Sequence, residues 1–238
     1  MYIIKNILAI GISPFSMNVA ACLVVALLNT QLINYGSDIA VSSYGVVNRI
    51  AMLVFMFMMG ICQGMQPIAG YNYGAGLHSR LKETYLLTLK WNVGIGVVGT
   101  IIAMIFPQLL VEMFSEDDSL IATAIPATRF LMVMCPLIGF TVTNSQFFQS
   151  IDKPWIAIVT SLSRQVIFLI PLMFIVPLVF INAGGDGLMG VWCSMTISDV
   201  CGALLSGSLL LTQLKVFKPG YQAPIRKPKK ERGPNHPE

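Results

Sequence analysis

Arg164 and Asp199 are opposite charges set inside long apolar stretches of the chain. Arg164 stands ten residues into the run 154–181, about 15 Å along a helix. Asp199 stands fourteen residues before the end of the run 187–213, about 21 Å by the same rise. An ionised group near mid-membrane costs at least about 2.5–3.5 kcal/mol unless a partner or a wet cavity compensates it. Two such groups on consecutive antiparallel helices predict an ion pair facing the bundle interior. A pair of this kind can hold and release charge, but bond-breaking chemistry needs more. A Ser–His dyad or a haem ligand needs an intramembrane histidine, and His78 and His236 both lie outside the apolar runs. An aspartyl pair needs a second carboxylate facing Asp199, and no other apolar run contains one. The sequence therefore reads as a non-enzyme with no cofactor and no metal site.

Softer candidates accompany the pair. Asn18, Cys22, Val25 and Asn29 recur at spacings of four, three and four, the repeat of one helix face. Pro14 precedes them and permits a kink. Met52, Met56, Met59 and Gln63 form a second stripe, and flexible, polarizable methionines suit surfaces that accept varied partners. Plain packing is the favoured reading of that stripe. Thr141, Thr143, Asn144, Ser145 and Gln146 crowd the end of another run. Unpaired amides are costly in an apolar setting, so the amides of both stripes and of this cluster either line a polar cavity or cross-link neighbouring helices. Sequence spacing leaves both readings open.

These residues need elements to position them. The chain has 238 residues, 55% hydrophobic and 11% charged, against about 25% charged in a soluble domain. Six apolar runs, 7–33, 43–70, 84–106, 120–148, 154–181 and 187–213, each reach the roughly 20 residues that a membrane-spanning helix needs. They are continuous rather than alternating, which favours helices over a barrel. The expected fold is all-α: a polytopic membrane protein whose residues 1–214 form a six-transmembrane-helix bundle. Val19-Ala20-Ala21-Cys22 faintly resembles a lipoprotein cleavage site, but the apolar run continues past it, so the first run is read as a permanent helix. Five cysteines (Cys22, Cys62, Cys135, Cys193, Cys201) fall in apolar runs without a CxxC pair, as small buried hydrophobes do.

Charge orients the spans. The first, third and fifth connections carry Asp38, Glu112, Glu116, Asp117, Asp118 and Asp186 and no Lys or Arg. Lys5, Arg80, Lys82 and Lys153 flank the other ends. The tail 215–238 holds seven of the fifteen basic residues, leaving a net of −1 over 1–214. Lys/Arg bias marks the cytoplasmic side, which places both termini inside a plasma (inner) membrane. The basic, Pro-rich tail lacks the apolar surface to fold alone. It suits attraction to anionic lipid, at about 1 kcal/mol per basic residue. No basic stripe with interleaved aromatics exists for nucleic acid.

The stretch Gly64-Met65-Gln66-Pro67-Ile68-Ala69-Gly70-Tyr71-Asn72-Tyr73-Gly74-Ala75-Gly76 resembles the "QPIxGYNYGA" segment of multidrug and toxic compound extrusion (MATE) transporters. Phe147-Phe148-Gln149-Ser150 before Lys153-Pro154, Ser163-Arg164-Gln165, Gly190-Val191-Trp192 and Ile197-Ser198-Asp199 extend the resemblance over nearly all of 1–214. It singles out Gln66, Pro67, Gly70, Tyr71, Asn72 and Gly74 as a family-motif loop. It implies the second six-helix lobe of a twelve-helix antiporter, driven by sodium or proton entry and exporting amphipathic, often cationic, small molecules by alternating access. A lobe alone needs an amino-terminal six-helix half or a second copy. Some family members carry a cation-binding carboxylate in the first or fourth helix of this lobe, and here those spans have none. Two other readings are a lipid-linked saccharide flippase, which would want more than one deep cation, and a truncated or non-transporting membrane subunit. The pathway candidates are Asp199, Arg164, Asn144, Gln146, Asn18, Asn29, Met56 and Gln63.

Overall fold

The computed structural model describes residues 2–217, and residues 2–17, 154, 214 and 215 by their backbone alone. Among these residues every regular element is helical: α1 (Tyr2–Tyr35), α2 (Asp38–Gly74), α3 (His78–Ile105), α4 (Pro107–Glu112), α5 (Asp118–Met132), α6 (Cys135–Ser150), α7 (Pro154–Leu162), α8 (Ile170–Asn182) and α9 (Gly187–Thr212). Ser163–Leu169 between α7 and α8 is a π-helical turn, and Leu214–Phe217 closes with a 3-10 turn. Among the described residues five helical stretches are long and apolar enough to cross a membrane, six when the bent pair α5–α6 is taken as one span.

The break in that fourth span has a local cause. Pro136 occupies the first turn of α6, where its ring cannot continue a helix from α5. The two pieces meet at 49°. A helix break frees carbonyls, and Thr100 Oγ1 donates to the Met132 carbonyl at 2.6 Å. Two glycines fix the closest approaches. A Cβ on Gly96 would lie 2.7 Å from the Cys135 carbonyl oxygen, and one on Gly190 would lie 2.6 Å from Pro177 Cα. Small residues let helix backbones meet in this way.

Two apolar cores stack along the bundle. One gathers Leu28, Leu32, Val47, Met132, Met173, Val191 and Trp192. The other lies toward the Lys/Arg-bearing end, around Met65, Leu81, Tyr85, Phe147, Phe148 and Ile151. Val216 is buried in this second core, and Phe217 stacks on Phe147 with centroids 5.5 Å apart. The packed lobe therefore runs through Phe217, slightly past the expected boundary at 214, because two apolar side chains find a site there. The remainder of the basic tail, 218–238, lies outside the described residues.

Candidate functional site

The polar groups sort into cross-links and a cavity, a division that spacing alone did not make. α6 carries the cross-links. Asn144 is fully buried; its Oδ1 accepts from Tyr85 Oη at 2.6 Å and its Nδ2 donates to Ser206 Oγ at 2.8 Å. Asn92 Nδ2 donates to Thr143 Oγ1 at 2.8 Å and contacts Cys62 Sγ at 3.0 Å. Gln146 Oε1 accepts from Gln66 Nε2 at 2.7 Å. Ser145 and Ser161 hydroxyls pair at 2.8 Å. These bonds tie α6 to α2, α3, α7 and α9. Asn144 and Gln146 are thus helix cross-links, placed apart from the residues that line the cavity below.

The motif residues form no loop. Gln66, Pro67, Gly70, Tyr71, Asn72 and Gly74 all belong to the last turns of α2, which stays helical through Gly74. The turn follows at Gly76, where φ is +70°, a conformation open to glycine. Within the motif Gln66 faces Gln146, and Asn72 Nδ2 donates back to the Ile68 carbonyl at 2.9 Å. Gly70 faces the Ser150 carbonyl, while Tyr71 stays 73% exposed. α2 has 37 residues, about 55 Å at helical rise. It is longer than the roughly 30 Å of a bilayer core, and the motif lies in its last turns.

The cavity holds the charges. Arg164 Nη1 donates to Asp199 Oδ1 at 2.6 Å, the ion pair that the two depths predicted. The π turn sets its geometry. A π turn shifts the i to i+4 ladder to i+5, and the Arg164 carbonyl also accepts from Ser198 Oγ at 2.7 Å. Gly202, one turn along α9 from Ser198, lets the Arg164 stem lie against the helix; a Cβ there would sit 2.9 Å from Arg164 Cγ. The pair opens on a cavity of about 420 Å³ bounded by α1, α2, α5, the start of α6, α9 and the π turn. Tyr44, Asn48, Gln165 and Ser198 supply neutral polar groups, and Met52, Met58, Met132 and Leu169 supply apolar wall. Sequence reasoning missed Asn48 and Tyr44, although Tyr44, Asn48 and Met52 recur every four residues on one face of α2.

The remaining candidates lie on the open side of α1 and α2. Met56 is 65% exposed, Asn18 and Gln63 are exposed, and Asn29 is half-buried. None of them lines the cavity, to which α1 contributes Ala21 and α2 contributes Met52. Among the described residues no group of three His, Cys, Asp or Glu side chains is placed to hold a metal.

A family model described as MatE matches residues 14–175. Multidrug export protein MepA of Staphylococcus saprophyticus is 26% identical over 219 residues, 91% of this chain and 47% of that protein. A MepA of Staphylococcus aureus is 26% identical over 84% of this chain and 43% of its own length. The chain spans about half the length of the curated relatives it matches. A structure of the MATE multidrug transporter DinF-BH is 39% identical, with a TM-score of 0.76 over 91% of this chain and 47% of that one. Inward-facing and outward-facing structures of a multidrug resistance MATE family transporter match at TM-scores of 0.79 and 0.78. Both are 22% identical and cover 91% of this chain, and 48% and 47% of theirs. At that identity they show a shared fold.

Proposed function

The chain belongs to the MatE family, whose relatives above are multidrug exporters and transporters rather than enzymes, and on that premise we propose that it acts as one six-helix lobe of a secondary multidrug exporter. Its working partner is an amino-terminal six-helix half or a second copy. The exposed apolar face of α1 and α2, with Val19, Met52, Met56 and Phe57 each more than half exposed, is the surface such a partner would cover. Sodium or proton entry biases the two lobes between inward-open and outward-open arrangements through its differential affinity for them. Amphipathic compounds, often cationic, move the other way. The lobe fold occurs in both an inward-facing and an outward-facing relative, which supports motion of lobes as units. The protein sits in the plasma membrane with both termini cytoplasmic, as its Lys/Arg bias favours.

The observation that carries this reading is the Arg164–Asp199 pair opening on a part-polar cavity. An ionisable pair within a membrane span marks a candidate charge pathway. The test is reconstitution of the chain with a complementary half and measurement of ion-driven dye efflux. Asp199→Asn is expected to lower the flux at least about tenfold, the scale of losing a charge-assisted hydrogen bond, and to weaken its ion dependence. Flux and ion dependence equal to the parent protein would remove Asp199 from the mechanism.

A further inference from the structure

A ligand entering the cavity does not meet the two charges equally. The Arg164 side chain is 28% exposed and that of Asp199 12%. A guanidinium has five N–H donors. Among the described residues only one of them, on Nη1, has a protein partner, the Asp199 carboxylate. The stem of Arg164 is pinned by its contact with Gly202 and its carbonyl by Ser198, so the head is held at the cavity wall. Among the described residues no second carboxylate lines the cavity, whose other polar groups are neutral. The reachable charge is therefore positive, beside a methionine-rich apolar wall. The volume of about 420 Å³ falls within the range of small-molecule sites.

We propose that this cavity binds the acidic end of an amphipath, a carboxylate or sulfonate, on Arg164, with the apolar body against the methionines. The proposal rests on the transport reading only in taking the cavity as a cargo site, and it replaces the often cationic cargo of that reading with an acidic one at this site. An anion finds unspent donors in the fork that recognises carboxylates. A cation must first draw Asp199 away and leave a guanidinium unpaired in a half-buried site, which is disfavoured. Asp199 is a positioning residue here: it orients the guanidinium and offsets part of its charge.

The test uses the full chain in phosphatidylcholine nanodiscs and three probes with one body and different heads: pyrenebutyrate, pyrenebutanol and pyrenebutyltrimethylammonium. Binding is measured above that of empty nanodiscs. Pyrenebutyrate is expected to bind at least about tenfold more tightly than the trimethylammonium probe. Arg164→Gln is expected to erase that preference. Arg164→Lys keeps the charge without the planar fork, and should retain the preference at reduced strength. Asp199→Asn should strengthen pyrenebutyrate binding severalfold, a change that mere structural damage would not produce. Equal or tighter binding of the cation, or a preference for the acid that survives Arg164→Gln, overturns the proposal. The readout is binding by this chain alone. A failure of ion-driven efflux with the acid preference intact would count against the transport reading only, and the converse result against this one only.

Discussion

Gly202 shows how much of a charged site depends on a side chain that is absent. Its Cα leaves room for the Arg164 stem, and Gly202→Ala is expected to push that stem away and weaken pyrenebutyrate binding severalfold while the helices persist, checked by nanodisc titration and circular dichroism. Asn144 is the contrasting case. Asn144→Leu strands the Tyr85 hydroxyl and Ser206 in the interior, at about 1–3 kcal/mol for each buried group left unpaired. A lower thermal midpoint in detergent, with cavity binding intact in the folded fraction, is the expected result. The Arg164–Asp199 pairing was legible in sequence because charge in an apolar span demands compensation. The role of Asn144 was not legible. An amide serves a cavity or a cross-link equally well, and only the positions of Tyr85 and Ser206 decide between them.

At the scale of elements, the six apolar runs coincide with long helices or helix pairs, and bilayer thickness fixes how long an apolar run must be to cross. Periodicity did not reveal the devices between them: the π turn, the short α4 and the 49° break at Pro136. Each is a local backbone choice made by packing. The π turn gives a direct prediction. Deleting Val166 restores α-helical register and rotates Arg164 by about 100° relative to α8. Helix content should hold, and the acid preference should vanish. The start of α5 gives a pH-dependent one. Asp117 caps this helix, its Oδ1 accepting from Ser119 N at 2.9 Å and Ser119 Oγ at 2.7 Å. These bonds hold its carboxyl below the usual carboxylate range. The cap is therefore in full force above the unfolded-state value of about 3.9 and is lost as pH falls through the lower folded value. Hydrogen exchange in the first turn of α5 should quicken in Asp117→Ala near neutral pH, and the difference from the parent protein should close in strong acid.

At the scale of the molecule, the fold and the family were readable from hydropathy, charge bias and the α2 motif, while the end of the packed lobe was not. Val216 and Phe217 join the core because an aromatic cluster receives them, which a Lys-flanked sequence conceals. The open apolar face of α1 and α2 is a property of the whole lobe, and it makes the account's central claim one about assembly. Ion-driven dye efflux from proteoliposomes tests that claim most directly, with the chain reconstituted alone and then with a complementary six-helix half. The account predicts gradient-dependent efflux only where the chain is paired, with that half or with a second copy of itself. Equal efflux from the unpaired monomeric chain, or none from paired vesicles in which both halves are folded and associated, would contradict it.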